Sequence, residues 1–274
     1  VIDGFVREHA RGRTPNPCVE CNRSVKFSML LERAKAFGAT VLATGHYARV
    51  TGPPGDRRLL RGLDRDKDQS YVLYMLGQGE LGRAHFPVGE YRKDEVRQIA
   101  SSLDLRTAAK PESQEICFVP NGDVHSFVAA AVPAGSRSGP VVNSEGDLVG
   151  AHRGFAHYTI GQRRGLGVSA GIPLYVSEVR AADNTVVVDT LDRLVMNEIV
   201  LEKTSFVAGQ VDGSLSASVM TRYRGPEAPA EIEPIDGRWR IVFTSPQPRA
   251  APGQAAVFYR GEEVLGGGTI SEVR

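Results

Sequence analysis

The spacing of apolar residues changes period part-way along the chain, and this restricts the accessible folds more than any other feature. Over residues 25–37 Phe27, Leu30, Leu31, Ala34 and Phe37 recur at helical spacing, and Gly38 supplies a stop. Residues 40–44 form a short apolar run of the kind buried in a parallel sheet, ending in Gly45-His46-Tyr47. A second helix is expected over 93–103, with Val96, Ile99, Ala100 and Leu103 on one face, and a strand over 115–119. Such alternation predicts an α/β layer architecture. Beyond it the helical period fades. Residues 123–194 contain two hairpin patterns, Val141-Val142 with Leu148-Val149, and 175–179 with 185–188. Residues 195–274 are short alternating stretches punctuated by Gly and Pro, which predicts a small β-barrel. The expected division is 1–122 α/β, 123–194 a small, mostly-β central domain, and 195–274 a C-terminal β-barrel.

Several function classes drop out on composition. No run of about 18 apolar residues exists to span a bilayer, and the first residues have neither the apolar core nor the cleavage site of a signal peptide. The expectation is a cytoplasmic protein without membrane association; the absent initiator Met places the true start upstream. A net charge of +1 creates no global field for nucleic acid, so RNA contacts must be local. Three cysteines are too few for a disulfide scaffold.

Two of those cysteines stand in Gly12-Arg-Thr-Pro-Asn-Pro-Cys-Val-Glu-Cys-Asn22. Two prolines fix φ and exclude helix there, so the loop is stiff and its thiols are pre-positioned. Arg13, Arg23 and Lys26 can stabilise a thiolate, and a helix following Asn22 would point its positive end at Cys21, lowering the thiol pKa as a sulfur nucleophile needs. Metal binding and a structural role remain open readings of Cys-x-x-Cys, although no second pair of ligands follows. Cys117 closes Ser113-Gln-Glu-Ile-Cys117. Sulfur leaves a persulfide only by attack on a sulfur atom, so a Cys21/Cys117 pair is chemically coherent. Lys67-Asp68-Gln69-Ser70 reads first as a helix start capped by Asp68 or Ser70, and second as a phosphate site. Gly45-His46 sits where open α/β sheets bind ligands. Arg222-Tyr223-Arg224 and Arg163-Arg164 offer charge and a stacking face to RNA. Gly266-Gly-Gly268 reads as a turn or bulge between strands.

Together with Ala43-Thr-Gly-His-Tyr47, Gly161-Gln-Arg-Arg-Gly-Leu-Gly167 and Pro252-Gly-Gln254, these motifs follow an order that resembles the tRNA-specific 2-thiouridylases, from about residue 5 to the C-terminus. The resemblance implies an ATP-pyrophosphatase domain of Rossmann-like fold, a central domain and a β-barrel. It also implies a reaction on tRNA: ATP (with Mg2+) adenylates the 2-oxygen of the wobble uridine, and persulfide sulfur replaces it. By the same resemblance Cys117 carries the persulfide and Cys21 is its nucleophilic partner, through sulfide release or a Cys21–Cys117 disulfide. Asn16, Pro17 and Cys18 lie against the target base. Gly45 contacts ATP, and His46, Lys67, Asp68, Gln69, Arg222, Tyr223 and Gln254 contact tRNA. The partners are tRNA and a sulfur-donor protein, either a persulfide relay or a cysteine desulfurase.

Two departures qualify the match. The Ser-Gly-Gly-x-Asp-Ser loop that holds the ATP pyrophosphate in that family does not occur in these residues, so the expectation is a fragment without adenylating activity of its own. Position 18 is Cys where some members have Asp, and three thiols, Cys18, Cys21 and Cys117, can hold a [4Fe-4S] cluster. A non-catalytic RNA-binding or iron–sulfur remnant of the family is the competing expectation.

Overall fold

In a computed structural model of the chain, residues 1–110, 116–168 and 171–274 are described. Helix α1 (Ile2–Ala10) leads to a short loop and then to one continuous helical rod. The rod is α2 (Pro17–Glu20), a π-helix (Cys21–Leu30) and α3 (Leu31–Ala36), ending at Phe37 before Gly38 with φ of 80°. The rod starts at Pro17, not at residue 25. Pro17 occupies the first helical turn, where its missing N–H has no intrahelical partner to lose, so this proline starts the helix instead of excluding it. The π winding also changes which residues face inward: Phe27 and Leu31 are buried, whereas Phe37 is 90% exposed.

Beyond the rod come β1 (Leu42–Ala43), β2 (Ala48–Thr51), β3 (Arg58–Arg61), α4 (Gln78–Leu81), β4 (Ala84–His85) and α5 (Lys93–Ser102). The run at 40–44 yields only the two residues of β1, paired in parallel with β4, and Val41 stays exposed because no second strand covers it among the described residues. The predicted strand at 115–119 is a turn over its described part, closed by the Val119 N–H donating to the Ile116 carbonyl at 2.9 Å. Ser113, Gln114 and Glu115 lie outside the described residues.

The middle of the chain is α6 (Val124–Ala131) and a four-stranded sheet of β5 (Gly139–Asn143), β6 (Leu148–His152), β7 (Tyr175–Arg180) and β8 (Thr185–Asp189), in the order β6-β5-β8-β7. Both predicted hairpins form, and a parallel β5–β8 pairing joins them. The remainder is a closed six-stranded barrel: β9 (Val195–Phe206), β10 (Leu215–Met220), β11 (Glu227–Ile235), β12 (Arg238–Pro248), β13 (Ala255–Arg260) and β14 (Glu263–Val273), closed by β13–β14. Gly266-Gly-Gly268 lies inside β14, where its bulges are, and not between strands. A Cβ on Gly267 would come within 2.8 Å of the Tyr74 ring, so the glycine allows the first domain to pack on the barrel wall.

The three hydrophobic clusters do not follow the three chain segments. Val19, Phe27, Tyr71, Leu73 and Tyr74 share a core with Val207, Met220, Val257 and Tyr259 of the barrel. A second cluster fills the barrel interior. The third joins Phe5 of α1 to the central sheet and α6. Finally, β3 pairs with the start of β14 through Leu59↔Val264 and Leu60↔Glu263, so the β2–β3 hairpin extends the barrel sheet.

Candidate active site

The loop preceding the rod is clamped by the barrel. The Thr14 N–H donates to the Pro252 carbonyl at 2.8 Å, and Gln254 Nε2 donates to the Thr14 carbonyl at 2.7 Å. A Cβ on Gly253 (φ 93°) would sit 3.1 Å from the Thr14 backbone. Arg13 bridges Glu8 at 3.0 Å and Glu202 of β9 at 2.6 Å. Asn16 then caps the rod, its Oδ1 accepting from the Cys18 and Val19 N–H groups. The positive end of the helix therefore faces residues 16–18 and not Cys21. Asn22, 1% exposed, donates from Nδ2 to the Val72 carbonyl at 2.8 Å and pins the rod to the buried 70–76 segment.

Cys18 is exposed, Cys21 half-buried and Cys117 exposed, and all three are free thiols. Although residue 18 reaches solvent, its sulfur is hemmed in by protein: this burial pushes the thiol up, the nearby Cys117 sulfur adds to the effect, Lys26 opposes it and Cys21 adds again. The thiol at position 18 is therefore raised because desolvation outweighs its one cation. Arg13 and Arg23 do not serve the thiols. Arg13 is spent on Glu8 and Glu202, and Arg23 lies against Glu20 at 3.9 Å and donates to Tyr74 Oη at 3.4 Å.

Of the other predicted residues, Tyr223 lies beside Cys18. Tyr223 Oη donates to the Asp68 carbonyl at 3.1 Å, its ring packs on Tyr71, and burial raises its pKa with Cys18 among the contributing neighbours. The Asp68 carboxylate accepts from the Gly62 and Ser70 N–H groups and the Ser70 hydroxyl, so it holds a tight turn in place. Gln69 Oε1 accepts from the Tyr47 N–H at 3.0 Å. Gly45 is exposed, with nothing within 4 Å of a would-be Cβ. Lys67 is half-buried and Arg222 exposed, while His46 is buried between Phe27 and Phe86. Sequence reasoning missed Arg61, which is 7% exposed: it stacks 3.6 Å over Tyr259 and pairs with Glu227 and Asp68. A lone Arg closing an apolar strand carries no motif to find it by.

A cleft of about 470 Å³ opens beside α2, but neither Cys18 nor Cys21 lines it. Arg7, Arg11, Arg23 and Lys203 face Asp3, Glu8, Glu20 and Glu202 there, so its charges cancel and it does not attract anions. Among the described residues no three His, Cys, Asp or Glu side chains are placed to hold a metal ion. The three thiols are therefore not placed as a cluster's ligand set among the described residues. No helix among the described residues is long and apolar enough to cross a membrane.

Comparison with known proteins covers the whole chain. Residues 1–121 match the family model described as a tRNA methyl transferase HUP domain, 125–190 that of a tRNA methyl transferase PRC-barrel domain, and 196–270 that of an aminomethyltransferase beta-barrel domain. The chain is similar to the tRNA-specific 2-thiouridylase of Herpetosiphon aurantiacus, 48% identical over 278 residues spanning 100% of this chain and 77% of that protein. Similar proteins of the same name include those of Roseiflexus sp. (45% identical, 99% and 78% covered) and Geobacter metallireducens (47%, 98% and 74%).

Proposed function

The chain belongs to the tRNA-specific 2-thiouridylase family, and from that premise we propose that it carries the thiol chemistry by which sulfur replaces the 2-oxygen of the wobble uridine in tRNA. The observation that supports this reading most is that Cys18, on the capped Asn16-Pro17 segment, lies within electrostatic reach of both Cys117 and Cys21. Methyl transfer, the word in two of the matched domain descriptions, does not call for such a set of thiols.

In this reading ATP is a substrate whose adenylyl group goes to the uridine 2-oxygen with loss of pyrophosphate, making AMP the leaving group at C2. Cys117 carries the incoming sulfur as a persulfide. Its terminal sulfur forms the new bond to C2 as the bond from C2 to the adenylated oxygen breaks. The Cys21 thiolate then attacks the Cys117 sulfur, the S–S bond breaks towards the nucleobase, and a Cys21–Cys117 disulfide remains for a cellular thiol to reduce. In the variant route, Cys21 attacks the persulfide first and frees sulfide as the nucleophile. Asn16, Pro17 and Cys18 form the base-facing wall, Gly45 leaves the backbone open to the nucleotide, and Lys67, Asp68, Gln69, Arg222, Tyr223 and Gln254 frame the RNA. A sulfur-donor protein reloads Cys117, which is exposed and so accessible to one.

In the full-length protein, Cys21→Ala and Cys117→Ala are each expected to cut 2-thiouridine formation on the order of a thousand-fold or more, with tRNA affinity within about two-fold. Nucleoside mass analysis and a filter-binding titration measure the two. A variant that still thiolates tRNA at the wild-type rate overturns the assigned roles.

A further inference from the structure

Asp68 and Tyr223 are 155 residues apart in the chain, yet the turn that carries Lys67, Asp68 and Gln69 and the loop that carries Arg222 and Tyr223 meet. One buried side chain ties them together. Arg61 closes β3 with 7% of its surface exposed, its guanidinium 3.6 Å over the centre of the Tyr259 ring. One arm bonds Glu227, and the other lies 3.9 Å from the Asp68 carboxylate. Glu227 opens β11 and pairs with Met220, the last residue of β10, so it stands at the base of the 221–226 loop. Asp68 is the centre of the other turn, where Oδ1 accepts from the Gly62 and Ser70 N–H groups at 2.9 and 3.0 Å. The Ser70 hydroxyl donates to Asp68 Oδ2 at 2.8 Å and lies 3.3 Å from Tyr259 Oη. Two bonds also cross between the segments directly: Tyr223 Oη donates to the Asp68 carbonyl, and Arg224 donates to the Asp66 carbonyl at 2.7 Å.

The chemistry of arginine fits this use. A planar guanidinium can reach two carboxylates while its face lies on an aromatic ring, which a lysine cannot do. Without the cation, Asp68 and Glu227 would bring like charges to the junction of the two segments, where little water screens them. Arg222, by contrast, is exposed. Resting on the reading that these two segments frame the RNA, we propose that Arg61 is a positioning residue for tRNA binding, setting the spacing between the 67–69 turn and the Arg222-Tyr223 loop without touching RNA itself.

The test is a double-mutant cycle on the affinity of the intact protein for an unmodified tRNA transcript, at fixed salt and without ATP. Arg61→Met and Arg222→Ala are each expected to raise Kd about ten-fold. Because Arg61 acts through that loop, the double variant should bind only about ten- to twenty-fold more weakly than wild type, not about a hundred-fold as independent losses would give. A general loss of structure would multiply with Arg222→Ala and lower the binding-competent fraction, so it does not mimic this coupling. Glu227→Gln removes one arm at an exposed position and carries the test if Arg61→Met does not fold. It should weaken binding about three-fold, with little added loss beside Arg222→Ala. A wild-type Kd in Arg61→Met, or losses that multiply in the cycle, overturns the proposal. Amide exchange without tRNA reads the tie itself: the Gly62 and Ser70 N–H groups should exchange about ten-fold faster in Arg61→Met, and wild-type protection there overturns it. Loosened amides in Arg61→Met beside wild-type tRNA affinity in Arg222→Ala would sink the RNA-framing reading and leave the tie standing.

Discussion

The two thiol-bearing segments are built in opposite ways. Cys18 and Cys21 ride on a rod capped by Asn16, pinned by Asn22, clamped by residues 252–254 and packed into a core shared with the barrel. Cys117 lies on a turn closed by one backbone hydrogen bond, anchored by Ile116 and Phe118 against the central cluster, where Phe118 meets Phe5 and Phe127. The two thiol-bearing segments therefore pack on different hydrophobic clusters. Helix α1 connects them, sending Phe5 into one cluster, while the loop after it is gripped by the barrel. The distance between the sulfurs depends on how the two clusters pack together.

Removing a large side chain from each cluster tests the contrast most strongly. Tyr74 is fully buried, and Tyr74→Ala should cost about 3–5 kcal/mol in urea unfolding and speed alkylation of Cys18 and Cys21. Phe118 is half-buried, and Phe118→Ala should cost clearly less and expose Cys117 alone. Equal acceleration of all three thiols by either variant would mean that the clusters act as one unit.

Acidification probes both clusters with smaller effect. His46 in the first and His9 beside the third have pKa values lowered to about 4, by burial first and then by Lys26 and His125 respectively. Their unfolded values lie near 6.5, so the unfolded chain takes up the protons first. The stability these neutral rings contribute is complete above about pH 6.5 and is lost as pH falls towards 4, at about 1.4 kcal/mol per unit for each ring. Urea midpoints at pH 7 and pH 5 should differ accordingly, and His46→Phe should remove roughly half of the difference. A pH-independent midpoint would show that neither ring is buried neutral. Asn16→Ala has the smallest effect: loss of the cap should cost about 1 kcal/mol and leave Cys117 untouched, as a melt with site-resolved alkylation would report.

Much of this was legible in residue patterns, and the failures have physical causes. The hairpins at 141–149 and 175–188 were readable because each pairs alternation with turn chemistry, and the barrel because alternating stretches recur there between Gly and Pro punctuation. Strand β9 is the exception to that alternation: its middle, Ile199-Val-Leu201, is buried on both faces. The start of the rod was misread because Pro17 stops a helix anywhere except in its first turn. The motifs named Cys18, Cys21, Cys117 and Tyr223, which lie near one another, but not the contacts that hold the neighbouring residues. Nothing in Gly-His reveals that His46 faces inward to a lysine, and nothing in Cys-x-x-Cys reveals π winding, which depends on tertiary packing and not on local propensity.

The hairpin that β3 hangs on β14 has a mechanical consequence. A hinge needs a seam with few bonds to break, and here a shared sheet crosses the boundary between the thiol-bearing layer and the barrel. The span from Gln254 and Arg222 to Cys21 therefore behaves as a stiff gauge. On the proposed reading, a nucleic acid gripped at one end of it would meet the sulfur chemistry at a set reach, and a base displaced by one step along its strand would find no yielding joint to bring it into line.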